Sequence, residues 1–175
     1  MRLAEEESLM NQKVSNLVSR LDHLSRRASL GELGQLLASE NITLHDISDY
    51  YIFNDIHYQR NKVSGSEWYD LYVMCWKPGQ NSAIHDHLGS SCAFKILQGM
   101  ATEYLYECVD CEHNYVQQAG IQTYSPGLVC EAQDGDIHKI VNGSTIEPLV
   151  TMHLYSPPLT MNVYEPAPQK VVVNS

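Results

Sequence analysis

Between Trp68 and Ser156 the chain breaks into short runs rich in β-branched and aromatic residues: "WYDLYVMCW", "CAFKILQ", "ATEYLYECV", "IQTYSP", "HKIVN" and "LVTMHLYS". Gly, Pro, Asn and Ser punctuate them at roughly ten-residue spacing, which predicts an antiparallel sandwich or small barrel. Upstream the texture is helical. Leu17, Leu21 and Leu24 repeat at helix spacing, Ser29 followed by Glu32 is a capping-box pattern, and Leu30, Leu33, Leu36 and Leu37 form the apolar stripe behind it. Thr43 and Asp46 mark another short helix toward Tyr50, and all these leucines are expected in the core. The tail from Glu165, "EPAPQKVVVNS", starts Pro-rich and reads as an extended surface segment.

A chain of 175 residues can bury one real core but not two comfortable ones. The expected layout is a single domain, with N-terminal helices over 1–50, a β-barrel over 51–165 and a tail over 166–175. The formal net charge is −10 and no basic run exceeds "SRR" at 25–27, which argues against nucleic acid and acidic membranes as partners. The longest uninterrupted apolar run, Leu71 to Trp76, is too short to span a bilayer. The start, "MRLAEEESLMNQ", lacks the apolar stretch of a secretory signal. Five cysteines, an odd count with no export signal, then imply reduced thiols in a cytoplasm. Cys108-Val-Asp-Cys111 is a C-x-x-C, but it has no second pair and falls where two strands should join, so neither metal nor disulfide chemistry is expected of it. Cys75 and Cys130 read as core fillers, and His23, His45, His57 and His113 as surface residues.

The chemistry concentrates in "GQNSAIHDHLGSSCAFKILQG", Gly79 to Gly99, which reads as a half-buried hairpin: a short strand, a turn and a second strand. Strand side chains alternate faces, so His85 and His87 share one and Asp86 points away. Two neutral imidazoles at that separation can hold a metal ion, given a third ligand. The stretch resembles the first motif of the cupin superfamily: Gly, five residues, His-x-His, three or four residues, Glu, six residues, Gly. Here the sequence runs Gly79, His85-Asp86-His87, Cys92, Gly99 with every spacing kept and Cys92 where the family usually has a ligating Glu. "GLVCEAQDGDIHKIVN" resembles the second motif through Gly127, Gly135, His138 and Asn142, with Gln133 in the usual proline position. The resemblance implies a mainly β fold, a small antiparallel, jelly-roll-like barrel preceded by short α-helices. It also implies His138 as third ligand, on a strand facing the first pair across the barrel.

Three neutral nitrogens leave a divalent ion its full charge and up to three open positions, and imidazole suits Zn, Fe, Cu and Ni alike. Zinc with a bound water would be hydrolytic, whereas iron(II) could take a bidentate substrate together with O2. Further segments resemble the cysteine dioxygenase family: "YQRN" (Tyr58 to Asn61), "IHDH" followed by Cys92, "IHKIVN", and "HLYSPP" (His153 to Pro158), a likeness running from about Tyr50 to Pro158. This implies Fe(2+) as cofactor and oxidation of the L-cysteine thiol to the sulfinic acid by O2. Arg60 would take the substrate carboxylate, since a planar guanidinium pairs bidentately with that shape, and Tyr58 would share its face. Thr151, His153 and Tyr155, at i, i+2 and i+4, line one strand face. Three polar residues in succession are costly for a plain core, and the family reading is a hydrogen-bond relay ending at the Tyr155 hydroxyl, with Thr151 where the family has Ser. Cys92 and Tyr155 occupy the positions that form a thioether cross-link in animal members.

The nearest rival is a dioxygenase of 3-mercaptopropionate. Those relatives carry Gln at the arginine position, and Gln59 adjoins Arg60, but strand neighbours face opposite ways and only one can enter the pocket. The "YxRN" match and Cys92 favour Arg60. A non-catalytic metal- or ligand-binding cupin is the second alternative, although nothing in the chain looks like an output domain. The expected partners are a small-molecule thiol and O2, with no nucleic acid and no membrane. The expected state is a cytoplasmic monomer, as the family tends to be.

Overall fold

A computed structural model describes residues 2–132 and 135–168; Gln133 and residues 169–175 of the expected tail lie outside the described residues. Helices α1 (Arg2–Leu21) and α2 (Leu30–Ser39) are followed by a 3-10 helix over Leu44–Tyr50. The predicted capping box starts α2: Glu32 N–H donates to the Ser29 hydroxyl, and Ser29 N–H donates to the Glu32 carboxylate at 2.7 Å. Each satisfies an amide that a helix start would leave orphaned.

The strands are β1 (Gln59–Gly65), β2 (Asp70–Trp76), β3 (Ile84–His85), β4 (Ser91–Gln98), β5 (Ala101–Asp110), β6 (Tyr115–Tyr124), β7 (Val129–Ala132), β8 (Ile137–Val141), β9 (Leu149–Ser156) and β10 (Val163–Pro166). They form two sheets. One has the order β1-β2-β9-β4-β7; the other runs β10-β3-β8-β5-β6 and closes when β10 pairs in parallel with β6.

Alternation along β2 and β9 explains why the helices are needed. Leu71, Val73 and Cys75 on β2, with Val150, Met152 and Leu154 on β9, project outward and are covered by Leu17, Leu21, Leu33 and Leu37 of the helices. The opposite faces, including Met74, Trp76, Leu149 and Tyr155, pack inward with Phe94 and Ile140 between the sheets. Strands buried on both faces read as continuous apolar runs, as β2 does. Cys75 and Cys130 are buried as expected, and His23, His45, His57 and His113 are exposed. No helix among the described residues is long and apolar enough to cross a membrane.

Three expectations are corrected. The stretch around His85 and His87 is not a hairpin: β3 pairs with β8 and β10, β4 with β7 and β9, so the turn between them carries the chain from one sheet to the other. Positive φ at Leu88 (31°) and Gly89 (87°) makes that turn. His138 does not face the pair across the barrel; it is the hydrogen-bonding register partner of His85 on the adjacent strand. The start of the tail is extended and exposed as expected, and it also joins the barrel, since Glu165 and Pro166 pair with Tyr115 and Val116. Finally, Cys108 and Cys111 form a disulfide. They do lie at the β5–β6 junction, but an irregularity in the pairing between Cys108 and Asp110 folds the chain back there, leaving the two Cα atoms 5.7 Å apart, within bridging range.

Candidate metal centre

His85 ends β3, His87 follows two residues on, and His138 sits on β8 opposite His85. All three are buried, and their candidate ligand nitrogens lie within 4.8 Å of one another. Ring centroids are 4.7 Å apart for His85–His138, 4.8 Å for His87–His138 and 5.4 Å for His85–His87. Nε2 of His138 and Nε2 of His87 approach to 3.1 Å. Two nitrogens each about 2.1 Å from one ion, subtending roughly 90–110°, lie about 3.0–3.4 Å apart, so this contact fits shared ligation.

Hydrogen bonds at the other ring positions settle which nitrogens are offered. Nδ1 of His85 meets the Ala83 carbonyl at 3.0 Å, and Nδ1 of His138 meets the Glu103 carboxylate at 2.5 Å. An N–H donated there leaves each Nε2 lone pair for a metal. Burial, with His138 adding to it, pulls the His85 pKa down to about 4, so the ring is neutral at neutral pH. Asp86 points away as expected. Its carboxylate accepts from Leu88 N, Asn162 N, Asn162 Nδ2 and the Tyr164 hydroxyl, clamping the histidine-bearing loop to the segment that enters β10.

The remaining predicted residues converge on the same place. One small cavity is lined by the three histidines together with Tyr58, Arg60, Trp76, His153 and Tyr155. Gln59 is not among its lining residues. Tyr58 stacks on Trp76 at 4.0 Å, and its hydroxyl accepts from Nε of Arg60 at 2.9 Å. Asn61 places that strand by donating to the carbonyls of Tyr50 and Ile52.

On β9, the Thr151 hydroxyl lies 2.9 Å from His153 Nε2, and His153 Nδ1 lies 3.3 Å from the Tyr155 hydroxyl. Trp76 extends this chain, its indole N–H donating to Thr151 Oγ1 at 3.1 Å. An indole nitrogen can only donate, so Thr151 accepts there and its own proton is available to His153. Burial holds His153 well below its ordinary pKa and Tyr155 well above, so both are uncharged at neutral pH. Cys92 on β4 is the direct register partner of Tyr155, their side chains share a hydrogen bond, and burial keeps the thiol protonated.

Three residues of this region were not anticipated from the sequence: Trp76, Glu103 and Tyr124. The carboxylate of Glu103 is 5% exposed and accepts from both His138 and Tyr124. The available signal was alternation, since Ala101, Glu103 and Leu105 share a face of "ATEYLYECV", and a carboxylate on an inward face needs a partner.

A double-stranded β-helix with three imidazoles converging inside it defines a cupin capable of holding a metal ion. Solved structures share that fold: a double-stranded β-helix protein from Klebsiella pneumoniae matches with TM-score 0.57 at 18% identity, covering 68% of this chain and 88% of its own. TT1209 from Thermus thermophilus matches with TM-score 0.52 at 21% identity, covering 64% and 94%. The model of the family "Cysteine dioxygenase type I" matches residues 3–166, and the chain belongs to that family. Cysteine dioxygenase type 1 of Danio rerio is 30% identical over 165 residues, 89% of this chain and 80% of that protein. The Rattus norvegicus protein of the same name is 36% identical over 111 residues, an aligned stretch that spans 62% of this chain and 56% of the rat protein.

Proposed function

We propose that the protein is an iron(II)-dependent dioxygenase that oxidises the thiol of L-cysteine to cysteine sulfinic acid, both atoms of O2 going to sulfur. The observation that carries the reading is one cavity bringing the Arg60 guanidinium, the imidazoles of His85, His87 and His138, and Tyr155 together. His85, His87 and His138 would hold the ion. Iron, when bound, supplies the redox chemistry by which O2 reaches a thiol sulfur.

The chain's own side chains select and orient the substrate. Arg60 is exposed on the outer side of the cavity, and its Nε and Nη2 both donate to the Tyr58 hydroxyl, which sets the plane of the guanidinium. The N–H groups not spent on Tyr58 would be left for a substrate carboxylate, and the stacking of Tyr58 on Trp76 keeps the pair from swinging. Because Arg60 rather than Gln59 lines the cavity, the arrangement favours L-cysteine over 3-mercaptopropionate. Tyr155, aimed by the Trp76–Thr151–His153 relay, keeps its proton and acts as a hydrogen-bond donor at the reacting end.

We also assign Cys92 and Tyr155 as a thioether pair that forms during turnover, losing one hydrogen from each side chain to O2. Their direct cross-strand pairing supports this. Intact mass should fall by about two hydrogens, and the Cys92→Ser variant should not show the change. The proposed partners are the small thiol and O2, acting on a cytoplasmic monomer.

The test is oxygen uptake and sulfinate formation by iron-loaded protein. L-cysteine is expected to turn over faster than 3-mercaptopropionate. The reverse preference would identify the rival activity, and no oxygen uptake with either thiol would identify a non-catalytic cupin.

A further inference from the structure

Glu103 is a buried carboxylate that plays no part in the substrate chemistry above, yet both of its oxygens are engaged. Oε1 lies 2.5 Å from His138 Nδ1, and Oε2 accepts from the Tyr124 hydroxyl at 2.6 Å. The register explains the meeting. Glu103 on β5 lies opposite Gln122 on β6 and Ile140 on β8, whereas Tyr124 lies opposite Ala101 and His138 opposite Leu105. Both partners are therefore diagonal neighbours on the inward face, within reach of a long side chain. The result is a chain of contacts, Tyr124–Glu103–His138, crossing three adjacent strands and ending at the His138 Nε2 that approaches His87.

We propose that Glu103 is a positioning residue of the metal centre: it holds the proton of His138 on Nδ1, aims Nε2 inward, and supplies from one layer back the negative charge that Cys92 removes from the ligand set. The proposal rests on the three-histidine centre of the preceding section and deepens it. With a ligating Glu, a divalent ion keeps a local net charge of +1; with three neutral imidazoles it keeps +2. A carboxylate hydrogen-bonded to one of those imidazoles brings the local sum back to +1 and makes the opposite nitrogen a stronger donor. Both of its oxygens accept short hydrogen bonds, from His138 Nδ1 and the Tyr124 hydroxyl, which is the setting of a carboxylate acting as acceptor only.

The experiment separates charge from shape. Glu103→Gln keeps the volume and an oxygen that can accept from His138, and removes the charge. Protein prepared metal-free is titrated anaerobically with Fe(II) against a chromophoric chelator, and the potential of the bound iron is measured. Glu103→Gln is expected to bind Fe(II) about 10–100-fold more weakly. Its iron potential should be higher, because removing a negative charge disfavours the ferric ion. Tyr124→Phe, which leaves the charge but frees one carboxylate oxygen, should lose less affinity than Glu103→Gln.

A structural role alone would lower the melting temperature without moving the potential. Should the wild type bind no Fe(II), the three-histidine centre itself fails. Should the wild type bind and Glu103→Gln match it within about twofold at an unchanged potential, the centre stands and the role of Glu103 is overturned. The nitrogen-15 spectrum of Zn(II)-loaded wild type tests the same point without a variant: the His138 proton is expected on Nδ1, and Nδ1 found bound to the metal overturns the proposal.

Discussion

Replacing Thr151 by Val changes a hydroxyl to a methyl with almost no change of shape, and the relay makes its consequence calculable. Thr151 is fully buried, and its hydroxyl serves both Trp76 Nε1 and His153 Nε2. Trp76 is 1% exposed and His153 4%, so neither stranded nitrogen can turn to water. Each buried polar group left unsatisfied costs about 1–3 kcal/mol, so Thr151→Val should lose about 2–6 kcal/mol. For a domain of this size that corresponds to a melting temperature lower by about 4–24 °C. Thr151→Ser keeps the hydroxyl and loses one methyl, which costs about 1 kcal/mol. The assay is thermal melting of the three proteins, followed by thiol-dependent oxygen uptake on the folded fraction. Turnover should persist in Thr151→Ser and fall in Thr151→Val, because His153 no longer holds Tyr155 in position. A Val variant that melts with, or above, the Ser variant would refute the relay as a connected chain of hydrogen bonds.

Arg60→Gln removes the proposed charged partner of the substrate carboxylate, and a hydrogen bond to a charged group is worth about 1.5–3 kcal/mol, so kcat/KM for L-cysteine should fall about 10–100-fold; a change below twofold would remove Arg60 from recognition. Asp86→Ala strips four donors of their acceptor and should cost about 2–4 kcal/mol, read as a lower melting temperature and faster proteolysis near Asn162; resistance equal to wild type would show that the clamp does not hold β10. Burial raises the Asp46 carboxyl, but hydrogen bonds from Thr43 and Lys13 outweigh this and leave its pKa below the usual value. A depressed carboxylate contributes stability above its unfolded pKa of about 3.9 and loses it as pH falls through the folded value. The stability gap between wild type and Asp46→Asn should therefore be full at neutral pH and close below about pH 4; a gap that is constant with pH would contradict the assignment.

Much of this architecture is legible in local sequence because local physics produces it. β9 spans Leu149–Ser156, the predicted "LVTMHLYS", since alternation of polar Thr151, His153 and Tyr155 with apolar Val150, Met152 and Leu154 is itself the pattern of a strand between two unlike surfaces. The capping box of α2 is set within four residues and forms as expected. β6 begins at Tyr115, ahead of the predicted "IQTYSP", because Tyr115–Gly120 is largely polar and becomes strand by pairing with β5 rather than by its own propensity.

The spacing of the chain determined that His85 and His87 would share a face and that Asp86 would turn away, because side-chain direction follows backbone period; His138 was added to the pair by its resemblance to a family motif, not by any local pattern. What only the tertiary structure decided is how distant segments meet: that β3 and β4 part to opposite sheets, that His138 arrives as the neighbour of His85, that Trp76 heads the relay, and that Glu103 stands behind His138. Those facts depend on strand order and register across the two sheets, which sum pairings between residues far apart in the chain and which no local pattern encodes.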